Sequence, residues 1–193
     1  MKKMTKNRLE AFSDGVIAII ITIMVLEIKV PPGDTWVDIA PLLPIFLSYV
    51  MSFVFILIYW NNHHHLFQTV KQINGKILLA NGHLLFWLSL MPFVTGWMGE
   101  NHFTQLPVML YGIVTVFSAI AYFMLSQMLI AHHGKDSPLA IAIGKDKKGI
   151  ISLIMYISGV FATFIHPYIS CALYLSVSIM WLIPDKRIEK VLE

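Results

Sequence analysis

Arg8, Ser13 and Asp14 stand close together at the head of Gly15–Val30, an apolar run long enough to cross a bilayer. A guanidinium, a hydroxyl and a carboxylate in that position are costly in hydrocarbon unless protein buries and pairs them. What they offer is hydrogen bonding and charge pairing that would pin one end of a helix. A second polar set, Trp60-Asn61-Asn62-His63-His64-His65, closes the next apolar run, and Asn81 and His83 lie early in the third. The eight histidines raise the question of a metal. Neighbouring histidines on one helix point about 100° apart and cannot all meet one ion. No two of them have the i, i+4 spacing of a ligand pair. Among the side chains there is no nucleophile–base pair, phosphate loop or nucleotide motif, so no catalytic residue, cofactor or metal is expected.

The apolar residues after Asp14 carry a pattern of their own. With Ile19 set at zero and about 100° per residue, Ile23 lies near +40°, Leu26 near −20°, Gly15 near −40°, Thr22 near −60° and Val30 near +20°. These make one stripe. Ser13 falls near +120° and Asp14 near −140°, away from it. A helix packed on its polar back and exposed on its front would look like this. Periodicity alone leaves several readings open. The stripe could face a water-filled path, lipid or neighbouring helices. Ser13 and Asp14 could form a helix N-cap, and Arg8 could reach out to phosphates.

The elements that hold these residues are membrane helices. Of the 193 residues, 57% are hydrophobic and 13% charged, against roughly 25% charged in soluble domains. Six spans are expected, about 10–30, 38–62, 76–99, 106–131, 149–165 and 167–183, making residues 1–193 a single transmembrane domain. The first is read as an integral span, since it is long, keeps its acidic residues and lacks a small-x-small cleavage site. With the N-terminus in the cytoplasm, thirteen of the fourteen basic residues fall inside and only Lys29 outside. The positive-inside rule therefore predicts both termini cytoplasmic. The same arrangement makes the basic rim a matter of topology and anionic-lipid contact, with no nucleic-acid partner. Pro31-Pro32-Gly33-Asp34 reads as an external turn, and Pro92 as a kink in the third span. Ser137–Gly144 reads as an apolar stretch lying on the bundle or the membrane surface, and Ile165-His166-Pro167 as a tight link between the last two spans. Cys171 is alone and can form no intrachain disulfide.

Arg8-x-x-x-Phe12-Ser13-Asp14, followed by Ala18-Ile19 and Thr22, resembles the signature of the transmembrane protein 175 family, the potassium channels of lysosomes and prokaryotes. Tyr59-Trp60-x-x-His63-His64 with Phe67 is similar to its Trp-x-x-His-His motif. Pro92-Phe93, Gly99-Glu100 and Tyr111-Gly112 are similar to its outer loop and fourth helix. The match is ordered and runs over residues 8–112. The resemblance implies an all-α membrane protein with six helices per subunit, a homotetramer in which the first helix lines a central pore, in the plasma membrane of a prokaryote. It implies a constriction at Ile19, further pore layers at Thr22, Ile23 and Leu26, and a polar network of Arg8, Phe12, Ser13, Asp14, Trp60, His63 and His64. Potassium and other monovalent cations would pass; lipids would surround it. Glu27, near +80° on the shoulder of the stripe, is a weaker candidate for the pore mouth; an interfacial carboxylate that snorkels to the surface, or a partner of Lys29, is the plainer reading.

No Thr-Val-Gly-Tyr-Gly loop occurs, so a carbonyl-ring filter is absent and modest potassium-over-sodium selectivity is expected. The alternatives from other classes are a membrane oxidoreductase with a histidine-bound metal cluster and a secondary transporter. The second would favour repeated halves and broken helices.

Overall fold

The computed structural model describes residues 5–70, 72–134, 136–144 and 146–182. Among these residues every regular element is helical. The chain runs α1 (Lys6–Leu26), α2 (Trp36–Ile39), a 3-10 turn (Ala40–Leu42), α3 (Leu43–Gln68), α4 (Gly75–Ser89), α5 (Met91–Glu100), α6 (Gln105–His133), α7 (Pro138–Ile143), α8 (Lys147–Ala162) and α9 (Pro167–Leu182). Of the basic residues that fix the expected orientation, Lys2, Lys3, Lys71, Lys135, Lys145, Lys186, Arg187 and Lys190 lie outside the described residues.

Among the described residues four segments are long and apolar enough to cross a membrane: Lys6–Leu26, Trp36–Gln68, Gly75–Glu100 and Gln105–His133. The expected spans at 149–165 and 167–183 correspond to α8 and α9, of 16 residues each. At about 1.5 Å per residue they reach roughly 24 Å, short of a 30 Å hydrocarbon core.

The third span is broken where proline predicts it. Pro92 has no N–H for the Leu88 carbonyl, so the ladder lapses there. The Leu90 N–H turns to the Trp87 carbonyl at 3.2 Å, and the chain restarts as α5. The break aims α5 so that α1 packs on α3, α4 and α5 together. On the other side α6 bridges α4 and α5 to α8 and α9.

Glycines set the closest approaches in this outer half. Any side chain at Gly112 would strike the Tyr174 phenol, and one at Gly159 would strike its ring. Two glycines thus make the slot that lets α9 dock its largest buried side chain between α6 and α8. Short α7 opens with Ser137 as N-cap, its Oγ accepting from the Ala140 N–H at 3.2 Å, and Pro138 at the first turn. Its Leu139 is buried, so the loop lies against the bundle.

Candidate functional site

Helix α1 begins at Lys6, earlier than the expected start near residue 10, with Thr5 as N-cap. Ser13 and Asp14 therefore stand two turns inside the helix, and the reading of them as an N-cap is overturned. Val30 lies beyond the end of α1 at Leu26, so it leaves the stripe although it is exposed.

The back of α1 is Leu9, Ser13, Ile17, Ile20 and Met24, all buried. Its polar member is tied into the bundle. Ser13 Oγ donates to the Leu9 carbonyl at 2.9 Å. It also accepts from Asn81 Nδ2 of α4 at 2.9 Å. Asn81 Oδ1 lies 2.7 Å from His63 Nε2 of α3. A chain of three buried side chains thus joins α1, α4 and α3. The Asn81 carbonyl oxygen accepts, which fixes the His63 proton on Nε2. The His63 ring in turn packs on the buried Phe67, centroids 4.6 Å apart.

Asp14 is placed differently. It is exposed, and its Oδ1 accepts from Trp60 Nε1 at 3.0 Å. Trp60 stacks on His64 at 6.1 Å, and His64 Nε2 lies 2.8 Å from Gln68 Nε2. Ser13 and Asp14, adjacent in sequence, are therefore bound to different helices by separate contacts.

Two residues expected in the network are not in it. Arg8 is exposed, and among the described residues it has no hydrogen bond or ion pair with another side chain. Phe12 is 63% exposed and lies on the stripe side of α1. At about 100° per residue it sits near +20°, almost in line with Ile19. Asn81, which the sequence marks only as a polar residue early in the third span, is the centre of the network. Its signal was an amide inside the apolar run Ile77–Leu90.

The front of α1 is bare. Ile19 is 59% exposed, Ile23 42% and Leu26 77%, with Gly15 and Thr22 exposed among them. Thr22 Oγ1 donates to the Ile19 carbonyl at 2.8 Å. Its proton is thus directed into the helix, and its lone pairs are left on the exposed side. Glu27 leans over α5: a Cβ placed on Gly96 would meet Glu27 Cγ at 3.6 Å and Oε2 at 3.7 Å. Lys29 pairs with Glu100 at 3.6 Å, which displaces the plainer reading of a Lys29–Glu27 pair.

The remaining histidines are spread out. His83 accepts from Trp87 Nε1 at 2.9 Å, His132 Nδ1 lies 3.2 Å from Asn74 Nδ2, and His133 Nε2 accepts from the Gln72 N–H at 3.4 Å. Among the described residues no group of three or more His, Cys, Asp or Glu side chains is arranged to hold a metal.

Comparison with known proteins points to one family. Residues 8–92 match the family model described as endosomal/lysosomal potassium channel TMEM175. A potassium channel of Chryseobacterium sp. (strain P1-3) is 58% identical over 190 residues, covering 98% of this chain and 99% of that one. A potassium channel of Streptomyces collinus is 35% identical over 124 residues, 60% of each chain. Among solved structures, a lysosomal potassium-selective channel TMEM175 homolog from Chamaesiphon minutus superposes with a TM-score of 0.82 at 28% identity, over 93% of this chain and 97% of that one.

Proposed function

The chain belongs to the TMEM175 family and is a potassium channel rather than an enzyme, and from that premise we propose that four copies surround a pore lined by the front of α1. The observation that carries the reading is the split of α1: Ile17 is 2% exposed and Ile20 3%, whereas Ile19 is 59% and Leu26 77%. One face is consumed by packing within the subunit. The other is a clean aliphatic stripe with one hydroxyl, available to meet its symmetry mates around an axis. Closed rotational symmetry is the usual form of such assemblies.

In this arrangement Ile19 forms the constriction, and Phe12 extends the apolar wall past Gly15 toward the Lys6 end. A narrow ring of isoleucines holds no polar ligand and empties of water readily, so it gates by dewetting. Conduction needs only a small rotation or tilt of α1. The Ser13–Asn81–His63 chain and the Asp14–Trp60 bond hold the Lys6 half of the helix while its Ile19–Leu26 half moves. Thr22 directs its proton to the Ile19 carbonyl and so presents oxygen to the ion. Potassium sheds water more easily than sodium, so a constriction that strips water and returns few ligands favours potassium modestly. Ile23 and Leu26 form the layers beyond. Glu27, leaning on Gly96, raises the cation concentration at the mouth without touching the ion.

The subunit has six spans in this reading, with α8 and α9 as the short fifth and sixth, both termini cytoplasmic, in the plasma membrane of a prokaryote. It needs no cofactor. The test is flux from potassium-loaded liposomes. Ile19→Asn places a polar ring at the constriction and should raise leak severalfold; native-like flux from that variant removes Ile19 from the pore.

A further inference from the structure

A pocket of about 160 Å³ lies between α3, α6, α8 and α9, apart from every contact that anchors α1. Phe55, Tyr59, Tyr122, Tyr156 and Trp181 give it aromatic walls. Three of its polar groups are engaged within the wall. Asn62 Nδ2 donates to the Ile58 carbonyl at 2.8 Å, Ser152 Oγ accepts from Trp181 Nε1 at 2.8 Å, and Asp146 Oδ1 accepts from the Gly149 N–H at 3.1 Å. The rest of its lining is predominantly apolar, so what enters gains mainly by burying hydrocarbon.

The pocket opens sideways. Phe123 and Ile150 line it and are also 51% and 57% exposed. Beyond them Ile154, 59% exposed, and Ile157, 40% exposed, continue an apolar outer surface along α8. This surface lies away from α1, which packs on α3, α4 and α5. At the N-terminal end of α8 the surface meets two cations. Lys147 is exposed, and Lys148 Nζ sits 4.6 Å above the Trp181 ring, which is itself a wall of the pocket. In the six-span reading this apolar slot opens to the hydrocarbon and ends beside a pair of lysines, which matches an amphipathic molecule with an anionic head. Its room is below the roughly 300–1,000 Å³ of sites that enclose a drug-sized ligand. A stretch of one alkyl chain fits there and a partner helix does not, and the exposed apolar surface along α8 can carry the rest of the chain.

We propose that this pocket takes one acyl chain of an anionic phospholipid from the leaflet bordering Lys147 and Lys148, with those lysines holding its phosphate. Bound there, the lipid ties α8 and α9 to α3 and α6 and completes the thin, outer part of the bundle. The proposal concerns the membrane-facing side of the protein and stands or falls independently of the pore.

Delipidated channel in detergent is titrated with phosphatidylglycerol brominated at mid-chain, and separately with equally brominated phosphatidylcholine, while tryptophan emission is followed. Phosphatidylglycerol should quench saturably, and Trp181→Phe should remove most of that quenching. Lys148→Gln should weaken the apparent affinity about fivefold, the effect of one basic residue near an anionic lipid. Ala119→Phe, which fills the pocket from α6, should abolish saturable quenching while the native oligomer persists. Quenching that is equal in native protein and Trp181→Phe would overturn the site. Equal affinities for the two lipids would overturn the headgroup assignment and leave a slot for any hydrocarbon, detergent included. The comparison between the two lipids on native protein reads out even if a variant fails to assemble.

Discussion

Ile19 and Ile20 are neighbours of the same type, yet Ile20 is 3% exposed and Ile19 59%. The same division runs along the whole of α1. Its back is packed on α3, α4 and α5 and carries a buried hydrogen-bond chain, Ser13 to Asn81 to His63. Its front is left largely exposed by the subunit. The difference teaches which residues are constrained by the fold of one chain and which are free to serve the assembly. A polar group on the back must be partnered where it stands; a polar group on the front can wait for an ion or water. Ser13 and Thr22 are both hydroxyls on one helix, and they differ in this way. Ser13 is buried and accepts from another helix, whereas Thr22 bonds only its own helix and keeps its lone pairs outward.

The sharpest way to break this division is to put the same amide on each face. Ile20→Asn buries an unpartnered amide in the packed back and should destabilise the subunit by about 3–5 kcal/mol, seen as loss of folded oligomer on gel filtration. Ile19→Asn should leave the elution volume and yield unchanged. Equal damage from both would mean that the front is packed in the functional protein as firmly as the back.

Next in size is the anchor. Asn81→Ala strands Ser13 and His63 together and should cost about 1–3 kcal/mol, since hydrogen bonds between membrane helices are worth less than their isolated strength. Asp14→Ala removes one exposed bond, and the Trp60 N–H can turn to water, so it should cost less than about 1 kcal/mol. Thermal unfolding of both variants in detergent checks the order. A larger loss for Asp14 than for Asn81 would relocate the anchor to the exposed pair.

The smallest effect is expected at Thr22. Thr22→Ala keeps the helix and the constriction and removes the one side-chain oxygen of the stripe. Reversal potentials under potassium–sodium gradients should show a selectivity lower than the native value with unchanged protein yield. Strong potassium preference in this variant would take Thr22 out of the ion path.

Much of the site was legible in the sequence because α1 is a single regular helix. Advancing about 100° per residue separated Ser13 from the Ile19 stripe before any packing was known. The same step places Phe12 beside Ile19; grouping it with the polar residues followed motif adjacency instead of helix geometry. Arg8 could not be placed that way, since a long side chain at a helix head is free to turn outward. The break before Pro92 was readable from chemistry alone. Ser137-Pro138 carries the chemistry of an N-cap, and the short helix it starts lies within the stretch expected to be apolar. What the sequence did not reveal depends on contacts between distant helices. Asn81 became the hub because α1 and α3 both reach it, and the pocket under Trp181 exists only where four helices diverge.

The central claim is that the front of α1 faces the ion, and paired cysteines test it most directly. In a Cys171→Ala background, Ile19→Cys and Ile17→Cys channels are reconstituted and exposed to cadmium. Thiolates ringed around an axis bind this soft cation tightly, so Ile19→Cys flux should be blocked and then restored by chelation, while Ile17→Cys flux is unaffected. Potassium flux through Ile19→Cys channels that cadmium leaves untouched would contradict a pore lined by this face.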